Sequence, residues 1–215
     1  MNNNYQLEMD KLLESIKCDG KAPRLLLHAC CAPCSSYVLE YLTGYFDITV
    51  FFYNPNITDA MEYKKRADEL ARLISLMPKK NGVSLFVAPH EPSGFLKMAE
   101  GREGLPEGGA RCFDCYRIRL EATAEYMRKV NAENTAEEPF SAFATTLTVS
   151  PHKNAAKLNE IGLELAEKYG VRYLPSDFKK REGYKRSIEL SREYGLYRQD
   201  FCGCEFSRVL KHGNN

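Results

Sequence analysis

Leu25-Leu26-Leu27-His28-Ala29-Cys30-Cys31-Ala32-Pro33-Cys34 begins as an apolar run, breaks at two adjacent cysteines and meets a third cysteine three residues on. The run is short and uninterrupted, as expected of a strand buried on both faces, and helical spacing resumes from Ser35 to Tyr41. Thiols therefore stand at the carboxyl end of a strand. In an open α/β sheet that edge carries the ligand crevice, because the loops leaving the strand tips form it.

The pattern continues outward on both sides. Arg24–Ala29, Ile48–Tyr53, Val83–Val87, Phe140–Leu147 and a short Val171–Leu174 read as strands rich in β-branched and aromatic residues. Helical periodicity covers Tyr5–Ile16, Asp59–Met77, Tyr116–Val130, a stretch opened by Ser150-Pro151 and ending near Tyr169, and Gly183–Tyr194. Strands alternating with helices imply right-handed crossovers and a parallel sheet covered on both faces. The expectation is a doubly wound, mainly parallel five-stranded α/β domain over 23–206, with an N-terminal helical extension (1–22) and a tail (207–215). Residues 91–109, with several Gly and Pro, should fold over the strand tips as loop and short helix. Asn131–Pro139 reads as a polar, mobile connection.

At 215 residues the chain suits one domain with a full core. Thirty basic residues against 29 acidic leave no overall field, so a nucleic-acid partner must be argued from local clusters. The first residues lack the basic start and apolar core of a secretory signal, and no run is long enough to span a bilayer, which predicts a cytoplasmic protein with no membrane partner. In a reducing compartment eight cysteines point towards metal or redox chemistry rather than a disulfide framework.

Seven of the eight fall into three compact groups: Cys30, Cys31 and Cys34; Cys112 and Cys115; Cys202 and Cys204. They are expected to meet in space, whereas the isolated Cys18 reads as a small packing residue. Cys112 and Cys115 have the separation of metal ligands and precede a helix whose dipole favours thiolates. A single zinc usually draws on two well-spaced pairs, for which adjacent Cys30-Cys31 is awkward; an iron-sulfur cluster is wider and can take Cys30, Cys31, Cys112 and Cys115. Cys202 and Cys204 suit either a strained small-ring disulfide acting as an electron relay or, with Cys34, a second metal.

These residues, with Phe51-Phe52-Tyr53-Asn54-Pro55-Asn56-Ile57, the run Arg111 to Leu120, Thr145-Thr146-Leu147, Ser150-Pro151-His152-Lys153-Asn154, Ser176 to Lys180 and Tyr197 to Cys204, resemble the cobalamin-independent epoxyqueuosine reductases, from about Leu25 to Phe206. The resemblance implies reduction of epoxyqueuosine at the wobble position of tRNA, without cobalamin and with an external electron donor. It implies a 4Fe-4S cluster on Cys30, Cys31, Cys112 and Cys115, redox activity at Cys202 and Cys204, and a second, mononuclear iron near Cys34 and that pair.

The reaction needs two electrons and two protons. Asp177 and Asp114 are candidate proton donors, with a helix cap or lysine partner as the plainer role of Asp177. Lys179, Lys180, Arg181, Lys185 and Arg186 form the densest basic cluster, and Arg117 and Arg119 follow the second cysteine pair; as a group they suit phosphate contacts. Ser150 and His152, at the expected helix start, offer amides to one more anion. His28 is a strand-end residue that could line the site, and His90 and His212 carry no expected role.

Two other functions fit parts of the pattern. The fold resembles the PP-loop/HUP-like type used by ATP-dependent tRNA thiolation enzymes, but the first loop lacks a Gly-rich phosphate cradle and Pro33 has no amide to donate. A zinc-stapled RNA-binding module would be colourless and redox-inert.

Overall fold

The computed structural model describes residues 4–18, 21–133 and 138–207. The side chain of Cys18, residues 134–137 of the expected mobile connection, and the tail with His212 lie outside the described residues. Four strands, β1 (Arg24–His28), β2 (Asp47–Phe52), β3 (Val83–Val87) and β4 (Phe140–Thr145), form a parallel sheet in the order β3-β2-β1-β4. Helices α1 (Tyr5–Cys18), α2 (Ala32–Leu42), α3 (Ala60–Leu76), α4 (Ser93–Ala99), α5 (Ala110–Glu133), α6 (Ala155–Tyr169) and α7 (Gly183–Glu193) complete the chain.

The apolar run at β1 is central to both cores. Leu25 and Leu27 face a cluster with Val38, Leu39, Leu70 and Leu73, while Leu26 faces Leu120, Phe143 and Leu158 on the opposite side. All three leucines are fully buried, each worth about 2 kcal/mol relative to exposure. The N-terminal helix contributes Met9 and Leu13 to the first cluster. No helix among the described residues is long and apolar enough to cross a membrane.

The expected fifth strand is reduced to one parallel bridge, Tyr173 to Phe143. Phe143 N–H donates to the Arg172 carbonyl at 2.9 Å and Leu174 N–H to the Phe143 carbonyl at 2.8 Å, and pairing stops there. Pro175 follows, with no amide to extend the ladder, and Asn159 captures Ser176 instead: its Oδ1 accepts from the Ser176 amide at 2.9 Å and its Nδ2 donates to the Ser176 carbonyl at 2.8 Å. The sheet therefore has four strands.

Two helix starts also differ from expectation. After β4 the chain turns through a 3₁₀ helix, Thr146–Val149, and α6 begins only at Ala155, capped by Asn154, whose side chain accepts from the Lys157 amide. Ser150 closes the 3₁₀ turn, and its Oγ accepts from the His152 amide at 3.3 Å, so this stretch is not a helix terminus. α5 starts at Ala110, which puts Cys112 and Cys115 inside its first turns rather than before it.

Candidate metal and redox centre

The sheet order reverses between β1 and β4, and the site grows from the carboxyl ends of those strands. Cys31 is the N-cap of α2: its backbone is extended, its Sγ accepts from the Cys34 amide at 3.4 Å, and Pro33 occupies the first turn, where no amide is needed. The cap turns Cys30, Cys31 and Cys34 together, with their sulfurs all within 4.8 Å of one another and Cys30 to Cys31 at 3.7 Å. This group can hold a metal ion. S–H donation from Cys31 and Cys34 holds the Cys30 thiol well below its ordinary value, and the same interaction pushes Cys31 up to about 12 and Cys34 well above its ordinary value. Three thiols are a soft donor set, and soft thiolates select zinc, copper(I) or iron-sulfur species over hard cations.

The other sulfurs gather on the far side of the same crevice. Cys112 Sγ accepts from the Gly108 amide at 3.3 Å, and burial raises the Cys115 thiol to about 11. Cys115 and Cys204 pack in a small apolar cluster with Phe95 and Ala99, against which Cys202 and Phe206 lie. All seven described cysteines in these groups are free thiols. A narrow void of about 20 Å³ is lined by Cys112, Cys115, Cys202 and Cys204, and an adjoining open cavity of about 280 Å³ by Cys34 and Cys202. Cys202, Lys153, His152 and Glu107 border both.

Two cations sit among the sulfurs. Burial opposes the charge of Lys153, but Cys30, Cys34 and Cys202 override it and hold the ammonium above its usual value. Arg119, 3% exposed, is held charged against burial in the same way by Cys115, Cys30 and Cys202. Sulfurs from all three sequence groups thus share one electrostatic neighbourhood.

Comparison with known proteins agrees with this arrangement. The family model described as epoxyqueuosine reductase QueH matches residues 25–209. The chain belongs to the QueH family. It is similar to "Epoxyqueuosine reductase QueH" of Staphylococcus epidermidis, 42% identical over 98% of this chain and 86% of the relative. The proteins of the same name from Streptococcus pyogenes (40% identical, 98% and 82% covered) and Thermotoga maritima (37%, 85% and 89%) are also similar.

In this QueH chain the residues expected from sequence fall unevenly. Ser150 and His152 line the open cavity. Asp177 pairs with Lys179 at 3.3 Å and lines neither cavity. Lys179 also donates to the Thr148 and Lys153 carbonyls, each at 3.4 Å, and so braces the loop that presents Lys153. Arg181 is paired with Asp10 at 2.5 Å, Arg186 with Glu40 at 2.6 Å and Lys185 with Glu182 at 3.5 Å; Lys180 is exposed. Arg117 pairs with Glu164 at 2.5 Å, and Asp114 with Arg102. The densest basic cluster is therefore largely neutralised by acids.

His28 is fully buried and lines neither cavity. Its Nε2 donates to the Tyr53 carbonyl at 3.1 Å and its Nδ1 accepts from Thr145 Oγ1, which in turn accepts from the Leu147 amide. Burial, aided by Arg119, lowers its pKa to about 3, so it is a neutral pin across three strand ends. His90 supports the Ile57 carbonyl at 2.8 Å.

Several site residues carried no expected role. Lys153, Tyr184, Arg198 and Glu107 line the open cavity, and Arg66 and Asn56 hold the Cys202 backbone. Lys153, Arg198 and Asn56 lie inside stretches that carry the family resemblance, whereas Glu107, Tyr184 and Arg66 do not.

Proposed function

We propose that this chain reduces epoxyqueuosine to queuosine at the wobble position of tRNA, as an oxidoreductase of tRNA modification. The reaction consumes two electrons and two protons; both epoxide C–O bonds break, the ring oxygen leaves as water, and the cyclopentene double bond forms. The observation that carries this reading is the family match over residues 25–209, which spans every cysteine of the crevice. The workplace that follows from a tRNA substrate is the cytoplasm.

Cys30, Cys31, Cys112 and Cys115 are the proposed ligands of a 4Fe-4S cluster, and Cys34, with the Cys202 and Cys204 sulfurs, those of an adjacent iron. The softness of the thiol donors supports this assignment, as do the Cys30, Cys31 and Cys34 sulfurs within 4.8 Å of one another and the void that Cys112, Cys115, Cys202 and Cys204 line together. Bound there, such a cluster supplies electrons one at a time from an external donor. The chain's own contribution is electrostatic and geometric. The open cavity receives the modified nucleoside, with Ser150, His152, Cys34 and Cys202 among the residues that line it. Lys153, bordering both cavities, offers a fixed positive charge where the opening epoxide oxygen becomes negative. Arg198 and Tyr184, on the same wall, suit the adjoining phosphate and base.

The parallel strand order and a site at the switch point support the PP-loop/HUP-like assignment. Three thiols and Pro33 stand where a nucleotide-binding enzyme carries its phosphate cradle, which favours reduction over ATP-dependent thiolation.

The test is metal analysis of protein purified without oxygen, followed by nucleoside mass spectrometry of epoxyqueuosine tRNA treated with a chemical reductant. Iron and sulfide at about four each, or iron in excess of sulfide, together with conversion to queuosine, is the expected result. Zinc alone with no conversion after iron and sulfide reconstitution would overturn it.

A further inference from the structure

Residues 196–204, which carry Cys202 and Cys204, contain no helix or strand, so their course is imposed by side chains from elsewhere. The main one is Arg66 of α3, 2% exposed. Its Nη1 donates to the Cys202 carbonyl at 3.2 Å and its Nη2 to the Phe201 carbonyl at 3.3 Å. Its guanidinium carbon stands 5.1 Å from the centre of the Phe201 ring. Asn56 Nδ2 donates to the same Cys202 carbonyl at 3.1 Å.

Arg66 is itself fixed. Its Nε donates to Glu62 Oε1 at 2.7 Å, and Glu62 accepts from the Tyr197 hydroxyl at 3.2 Å, so the segment it holds also holds its partner. The Tyr197 amide donates to Glu69, two turns beyond Glu62 on α3, at 2.6 Å. Beyond Cys202, Gly203 adopts φ +100°, and a Cβ there would stand 2.6 Å from Ile57 Cγ1. That carbon belongs to the residue whose carbonyl His90 supports.

We infer that Arg66 is a positioning residue for the Cys202–Cys204 pair: its planar fork locks two consecutive peptide carbonyls and so aims the Cys202 sulfur at the boundary between the two cavities. A buried ion pair such as Arg66–Glu62 is weak evidence for stability, because desolvation offsets most of the attraction, and specification of geometry is its better-supported use. Lysine retains the charge but has a single donor centre, and cannot hold both carbonyls in register. The inference rests on the reading that Cys202 and Cys204 act in the reduction.

The experiment compares Arg66→Lys, Arg66→Met and Asn56→Ala with the parent chain. In the reduced, metal-stripped full-length protein, iodoacetamide labelling of each cysteine is timed by peptide mass spectrometry, with Cys112 as internal reference. Arg66→Lys and Arg66→Met should label Cys202 about tenfold faster relative to Cys112, the loss of a buried hydrogen bond or two; Asn56→Ala should move in the same direction by less. In reconstituted enzyme kcat should fall about 10²-fold, with KM for epoxyqueuosine tRNA within about threefold, as for a misplaced reactive group. Should Arg66→Met fail to fold, Arg66→Lys and Asn56→Ala decide. An unchanged Cys202-to-Cys112 labelling ratio in folded Arg66→Lys overturns the inference. Full turnover by Cys202→Ser would instead end the assignment of the redox pair and leave the labelling result standing.

Discussion

The two ends of the sulfur crevice are built by opposite means. Cys30, Cys31 and Cys34 are placed mainly by their own neighbours: a strand ends, Cys31 caps the next helix, and the three sulfurs converge within 4.8 Å, with Thr146 Oγ1 accepting from the Cys30 amide at 3.4 Å as the distant contribution. Cys202 and Cys204 lie on a segment without secondary structure, held by Arg66, Asn56 and Ile57 from more than a hundred residues away in sequence. The first end is a rigid donor set fixed by local backbone. The second depends on tertiary contacts, and so can be shifted without dismantling the fold.

The largest expected effect strikes the local end. Cys31→Ser removes a sulfur but leaves a hydroxyl that can still accept from the Cys34 amide and cap α2, and should abolish metal retention and lower turnover more than about 10³-fold, beyond the 10–100-fold typical of an outer-shell loss. Metal analysis and nucleoside mass spectrometry check it; retained iron with normal turnover would break the distinction between the two ends.

Lys153→Gln tests the charge between them. Turnover should fall about 10²-fold with the melting temperature little changed, whereas Lys179→Gln, which only braces the same loop, should cost about tenfold. Equal losses would mean that Lys153 acts through loop structure rather than charge.

Gly203→Ala sharpens the comparison at the distant end. A left-handed backbone and a 2.6 Å approach to Ile57 should cost about 2 to 3 kcal/mol in denaturant unfolding, with turnover lost alongside. Ala32→Gly, in the local turn, should cost less than about 1 kcal/mol.

The remaining effect, confined to acid, concerns His28. Its folded pKa of about 3 lies below the ordinary 6.5, so the unfolded chain takes up a proton first as pH falls. The stability it contributes is complete above about pH 6.5 and is lost progressively towards pH 3, amounting to roughly 2 kcal/mol by pH 5. Urea midpoints at pH 7.5 and 5 should separate less in His28→Gln than in the parent chain; equal separation would show that the acid sensitivity arises elsewhere.

Legibility followed the same division. β1, β2 and α3 were plain in the residues, because burial gives apolar runs and an amphipathic helix gives its own period, while β3, half exposed at the sheet edge, was legible from its β-branched and aromatic residues. The start of α6 was missed because Asn154 outcompeted Ser150 for the capping role, and the fifth strand because Asn159 removed Ser176 from pairing. Within the site the cysteine groups were legible from spacing. Arg66 carried no expected role, Lys153 stood in a quoted motif without one, and Arg119 was expected to meet phosphate rather than sulfur, since a cation in a polar stretch gives no sign that it will be buried.

The sequence by itself determined an α/β chain with thiols at a strand's carboxyl end, since hydrophobic period and cysteine spacing are local properties. Only the tertiary structure decided which cations stand among the sulfurs, that the lysine and arginine cluster would be spent on neighbouring acids, and that α3 would hold the last sulfur pair. Those outcomes depend on desolvation and hydrogen-bond partners contributed by segments far apart in the chain, which no local pattern encodes.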